Sequence, residues 1–127
     1  MDASAMACAL VYDGERGAAA RSALAKDEHW AAPEHWQVAV FSVIRGLLLD
    51  GRLRESRARQ AVETLASLTV VSVSVTDLLR RMWDLRGNIG AYDAANVAAA
   101  ELHRAPLFTA DARLARAGGL RCQVRVV

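Results

Sequence analysis

The sequence predicts a single α/β domain built on a mostly parallel sheet with helices on both faces, and three observations lead there. Segments with helical spacing alternate along the chain with short apolar or β-branched runs near residues 30, 70, 107 and 123. That alternation requires crossover helices and hence parallel strands. Alanine occupies 26 of the 127 positions, and together with arginine and leucine it favours helix over other states. A chain of 127 residues with 54% hydrophobic and 24% charged residues can bury one core and no more, so residues 1–127 read as one domain.

Each element follows in order. Ala3 to Val11 reads as a helix ended by the Asp13-Gly14 turn, and Glu15 to Lys26 as a second helix. His29 to Pro33 is too short for a helix, and Pro33 disfavours the helical region at Ala32, so a short buried strand or loop is expected there. Pro33 suits the first position of a helix. From Glu34 to Leu49, Val38, Phe41, Ile44 and Leu48 recur at helical spacing, widened by Val40, Val43 and Leu47, which predicts a helix buried over much of its girth. Asp50-Gly51 ends it. Glu55 to Leu68 alternates charge with Ala58, Ala61, Val62 and Leu65 as a surface amphipathic helix.

Thr69 to Val75 is nearly continuous in β-branched residues and reads as a strand. Thr76 is the expected N-cap of a helix running to about Leu85, broken at Gly87 to Gly90. An alanine-rich helix from Tyr92 to His103 must pack closely on its neighbours. Pro106 to Thr109 is a strand, Ala112 to Ala117 a helical turn or two, and Cys122 to Val127 the closing strand after Gly118-Gly119.

Charge and cysteine usage limit the function classes. Sixteen basic residues, of which only Lys26 is lysine, face 14 acids for a net charge of +2. Whole-surface attraction to nucleic acid is therefore excluded, and any such contact must be local. Cys8 and Cys122 lack metal-ligand spacing and read as buried thiols of a reducing cytoplasm. The N-terminus has no basic signal region, and no apolar run approaches the roughly 20 residues of a spanning helix, so no membrane association is expected.

In parallel sheets the functional groups gather at the carboxyl ends of strands. Asp111 directly follows Leu107 to Ala110, Asp93 begins the helix after the 87–90 turn, and Asp2 precedes the first helix. Three carboxylates at such junctions make the hard oxygen ligand set that Mg²⁺ or Mn²⁺ prefers. Taken singly, each has a plainer reading: Asp93 and Asp111 as caps or dipole complements, Asp2 as a solvated terminus. His29, His35 and His103 follow no metal or triad spacing, Ser4 lacks a nucleophile elbow, and neither cysteine has a recognisable histidine partner. Covalent catalysis has no support.

The segments Asp2-Ala3-Ser4, Tyr92-Asp93-Ala94-Ala95 and Leu107 to Leu114 resemble, in order and over essentially the whole chain, the motifs of PIN-domain ribonucleases, especially the VapC-type toxins of bacterial toxin-antitoxin pairs. Ala32-Pro33 and Ser42 to Leu47 are similar to that family as well. The resemblance implies a three-layer α/β/α fold with a mostly parallel sheet of four to five strands. It also implies an endoribonuclease dependent on Mg²⁺ or Mn²⁺, a cognate antitoxin that inserts into the active-site groove, and a homodimer, with which the apolar richness of Val38 to Leu49 is compatible. By motif, the family's first, third and fourth acids fall on Asp2, Asp93 and Asp111, and its supporting hydroxyls on Ser4 and Thr109.

Two departures stand out. The family's second acid, a glutamate, falls on Ala39, whose methyl group cannot bind a metal. Glu34 and Gln37 point elsewhere around the helix and cannot replace it. Ala39 marks either a natural loss or a disarming substitution, and in both cases little or no cleavage is expected of the chain as it stands. Only Met1 precedes Asp2 where the family has several apolar residues, so Asp2 is expected to be poorly anchored if nothing replaces them.

Arg45 and Arg86 are candidate contacts to RNA phosphate, and Trp30, Trp36 or Trp83 could stack a base, though each also reads as ordinary surface or core. The competing readings are an active endoribonuclease toxin once residue 39 is glutamate, and a catalytically inactive PIN-like protein that binds antitoxin, RNA or a second copy. A phospho-receiver fails because Lys26 is the only lysine, and Asp2-Ala3-Ser4 is not the Asp-x-Asp of haloacid-type phosphatases.

Overall fold

A computed structural model describes residues 1–26 and 30–127; His29, the first residue of the short segment expected at 29–33, lies outside the described residues. Among the described residues there are six helices: α1 (Ala3–Val11), α2 (Glu15–Leu24), α3 (Trp36–Leu49), α4 (Glu55–Ser67), α5 (Leu79–Leu85) and α6 (Ala91–Leu102). Four three-residue strands accompany them: β1 (Ala31–Pro33), β2 (Val71–Val73), β3 (Leu107–Thr109) and β4 (Val124–Val126). Short 3₁₀ turns occupy Val75–Asp77 and Leu114–Arg116.

The strands pair in parallel, β1 with β2 and β3 with β4, Ala32 opposite Ser72 and Phe108 opposite Arg125. Residues 1 and 2 lie between the two pairs: the Met1 amino group donates to Ala31 O at 3.3 Å, and Asp2 N donates to Phe108 O at 3.0 Å. They occupy the central position of a five-membered arrangement. With one bond to each side, the centre bridges the two pairs without forming a ladder of its own.

Side-chain alternation along the strands separates the layers. Ala32 and Phe108 enter a core with α1, α3 and α4, built on Met6, Val11, Trp36, Val40, Ile44 and Leu65. Ala31 packs towards Ala95, Ala98 and Ala99 of α6, and Leu107 joins Leu85, Val97 and Leu114 on the same side. The methyl side chains of α6 bring its axis close to β1 and β3, as the alanine-rich sequence requires. The three layers are thus α1-α3-α4, strands, and α5-α6.

Several local expectations are corrected. Pro33 does not open α3 but ends β1. Main-chain pairing runs one residue further, with Glu34 N donating to Val73 O at 2.8 Å, and α3 begins only at Trp36. Thr76 is not an N-cap: it lies within the 3₁₀ turn, and α5 starts after Leu78 with no side-chain cap. The strand expected over 69–75 is confined to Val71–Val73, because only those residues have a partner strand of matching length. α3 buries only the narrow stripe Trp36, Val40 and Ile44, leaving Val38 72% and Leu49 65% exposed with Phe41 and Val43. Apolar spacing alone does not separate a buried face from a bare one. Cys8 is buried, but Cys122 is only half-buried, and burial raises its thiol pKa first.

α1 and α2 meet at a tight contact. A Cβ on Gly17 would stand 1.7 Å from Tyr12 O, so only glycine lets the first turn of α2 approach the end of α1. Arg21 fastens the same junction, donating to Ala9 O at 3.0 Å and Tyr12 O at 2.8 Å.

Candidate active site

The N-cap of α1 builds one wall of the site. Asp2 is only 5% exposed, and its Oδ1 accepts from Ala5 N at 3.0 Å and from Ser4 Oγ at 2.5 Å. It is thus neither solvated nor poorly anchored. The backbone bond to Phe108 and the cap hold it in place.

Ser4 and Thr109 join this wall to the end of β3. Ser4 Oγ accepts from Ala110 N at 2.9 Å and lies 3.4 Å from Thr109 Oγ1. The single serine proton is committed to the Asp2 carboxylate, so the threonine hydroxyl is the donor in that pair. Thr109 Oγ1 in turn accepts from Asp111 N at 3.0 Å, and Thr109 is fully buried. Two hydroxyls separated by 105 positions therefore hold Asp2 and Asp111 in fixed relation.

Asp93 arrives from the third direction, in the first turn of α6 after Gly90, and does not cap the helix through its side chain. Burial, then the charges of Asp2 and Asp111, raise its carboxyl pKa, partly offset by Arg113. Like charges close enough to shift the Asp93 carboxyl in this way lie in one electrostatic site with it. The beginning of α6 also meets the beginning of α3, where the His35 and Tyr92 rings stand edge to face at 5.4 Å. Ala39 N donates to His35 O, one helical turn on, so residue 39 shares the face of α3 that approaches the N-terminus of α6. Glu34 is committed elsewhere, its Oε1 accepting from Val75 N at 3.0 Å, and Gln37 is exposed.

Asp111 behaves differently from Asp93. Its carboxylate is gripped by Arg113, whose side-chain and backbone hydrogen bonds hold its pKa below the ordinary range. Among the described residues, no three Asp, Glu, His or Cys side chains converge closely enough to hold a metal ion as they stand. The donors are nevertheless all carboxylate oxygens, the chemistry a hard divalent cation requires.

Arg45 is exposed on α3, about 9 Å along the axis from residue 39 and about 120° around it. Arg86 folds back on its own helix, with its guanidinium 4.0 Å from the Trp83 ring centre and Nη1 donating to Trp83 O. Trp30 is half-buried and donates to Leu24 O, Trp36 is core, and Trp83 is exposed. Sequence reasoning gave Arg113 no role, although its position two residues after Asp111 in a tight turn is a readable signal for a local ion pair.

Comparison with known proteins matches the PIN domain profile over residues 1–120. The chain belongs to the PIN-domain family. Its relatives include three proteins of Mycobacterium tuberculosis, each matched over the whole of this chain. Ribonuclease VapC9 is 37% identical, with 96% of its own length covered. Ribonuclease VapC1 is 34% identical with 96% covered, and ribonuclease VapC12 is 32% identical with 97% covered. The α/β architecture with parallel strands is that of a PIN-like fold. No helix of the described residues is long and apolar enough to cross a membrane.

Proposed function

We propose that this chain is a VapC-type endoribonuclease toxin whose acids Asp2, Asp93 and Asp111 form the hydrolytic centre, disarmed here by Ala39. The observation that carries this reading is the join of Asp2 to Asp111 through Ser4 and Thr109, with Asp93 near enough for both charges to raise its carboxyl pKa. The VapC ribonuclease relatives support the reaction class. Asp2, Asp93 and Asp111 are the residues that would hold Mg²⁺ or Mn²⁺. A divalent cation so held supplies an acidified water and neutralises charge on the phosphate undergoing attack.

The chain's own residues do the rest. Ser4 holds the Asp2 carboxylate and Thr109 the Asp111 backbone, so the Asp2 side chain and the main chain at Asp111 need no ordering when substrate arrives. Asp93, uncapped and close to like charge, is the acid most in need of a counter-cation. Ala39 leaves the set one carboxylate short, which lowers cation affinity and cleavage together. A cognate antitoxin that closes the groove, a homodimer formed on the bare apolar face of α3 (Val38, Phe41, Leu49) and a cytoplasmic location complete the reading.

The test compares RNA cleavage by this chain and its Ala39→Glu variant in Mg²⁺ or Mn²⁺ with an EDTA control. Cleavage by the variant, abolished by EDTA and by Asp93→Asn, supports the toxin reading. Silence from both, with folded protein, favours the second reading, an inactive PIN-like binding protein. That second reading is motivated by Ala39 and by the absence of a converged ligand triad among the described residues.

A further inference from the structure

Asp111 is not free to meet the other two acids. Its Oδ1 accepts from Arg113 N at 2.9 Å and from Arg113 Nε at 3.0 Å, while Oδ2 accepts from Arg113 Nη2 at 2.9 Å. Three donors of one residue thus occupy both carboxylate oxygens in the fork geometry natural to guanidinium. The pair sits at the open side of the site, with the Arg113 side chain 85% and the Asp111 side chain 32% exposed. Arg113 also reaches Asp93 electrostatically, each group influencing the other's protonation. The acids therefore cluster without converging, and the residue that turns one of them aside is itself a cation.

We propose that Arg113 is a latch: it holds Asp111 until a divalent cation displaces it, and the released guanidinium then takes an RNA phosphate. This inference rests on the nuclease reading of the same three acids. The exchange is chemically even-handed, because a guanidinium matches phosphate oxygens as well as carboxylate oxygens, two at a time. It is also cheap in free energy. The pair is exposed and local in sequence, so breaking it weakens cation binding by no more than about fivefold. Coupling between sites is reciprocal, so RNA that captures Arg113 frees Asp111 and tightens the cation, and the cation tightens RNA by the same factor.

The test is Mn²⁺ affinity, read from the paramagnetic resonance of free Mn²⁺, for this chain and for Arg113→Ala, Arg113→Lys and Asp93→Asn. A latch predicts that Arg113→Ala and Arg113→Lys both bind Mn²⁺ about two- to fivefold more tightly, since lysine keeps the charge but loses the fork. A short RNA oligonucleotide should tighten Mn²⁺ on the parent chain and not on Arg113→Ala. Tighter binding in Arg113→Ala alone would reveal a simple charge effect and overturn the latch, as would no change in either variant. An RNA effect equal in parent and Arg113→Ala would overturn the transfer to phosphate. If Mn²⁺ binds and Asp93→Asn abolishes it while the Arg113 variants match the parent, the latch alone fails. If neither the parent nor the Arg113 variants bind Mn²⁺, the nuclease reading fails with it.

Discussion

Removing the Ser4 hydroxyl tests the join between the two halves of the molecule. Ser4→Ala deletes the bond to Asp2 Oδ1 at 2.5 Å, leaves Ala110 N without its acceptor at 2.9 Å and strands the Thr109 proton. A hydrogen bond to a carboxylate contributes about 1.5–3 kcal/mol, and an orphaned buried donor costs about 1–3 kcal/mol. The site is only partly buried, so water replaces some of this, and alanine regains about 0.5 kcal/mol of helix propensity in the first turn of α1. The net loss is about 2 kcal/mol. For a domain of this size each kcal/mol shifts the midpoint by about 4 °C, so thermal unfolding followed by circular dichroism at pH 7 should show Tm lowered by about 8 °C. Thr109→Val should cost about 1 kcal/mol, and the double variant should be less destabilised than the sum, since the two hydroxyls share a bond. A Ser4→Ala protein melting within about 2 °C of the parent would refute the claim that this hydroxyl holds the acids together.

Gly17→Ala should be more damaging than a helical Gly→Ala exchange ordinarily is, because the new methyl meets the Tyr12 carbonyl. A loss of about 3 kcal/mol in denaturant unfolding is expected, where an open site would gain stability. Asp93→Asn should stabilise the protein at pH 7. Burial and two like charges raise the Asp93 pKa in the folded state, so its stability contribution is complete below the unfolded pKa and lost as pH rises through the folded one. The advantage of the asparagine variant in Tm should accordingly vanish below about pH 4, the unfolded aspartate value.

Glu101→Gln should show the opposite pH dependence. Burial pushes the Glu101 pKa up, but hydrogen bonds from Arg81 and Arg121 N outweigh it and hold the folded value down. Arg81 binds both oxygens at 2.6 and 3.1 Å and reaches on to Gly119 O. The bridge stabilises above the unfolded glutamate pKa and is lost as pH falls through the folded value. The variant should lose about 2 kcal/mol at pH 7 and progressively less in acid, measured by urea unfolding across pH.

The positions of the acids were legible because they follow from connectivity. Parallel strands joined by helices put the residues after each strand at one end of the molecule, so Asp111, just beyond β3, could be picked out by its place in the alternation, whereas Asp93 follows α5 and a turn and was read from its place at the start of α6. Asp2 was picked out by its place before the first helix and by resemblance. Helix boundaries followed from spacing, caps and glycines to within a few residues. Pro33 was misread because its fixed φ suits a strand end as well as a helix start, and pairing with β2 decided between them.

The α/β class, the order of elements and the places of the three candidate carboxylates in the chain follow from local periodicity or from general rules of chain connection. Packing decided that Met1 and Asp2 bridge two strand pairs, that Ser4 meets Thr109, and that α3 buries Trp36, Val40 and Ile44 while leaving Val38, Phe41 and Leu49 exposed. Those outcomes depend on the distance and direction between side chains that approach through packing. A one-dimensional pattern constrains which face a residue takes and leaves open what stands opposite it.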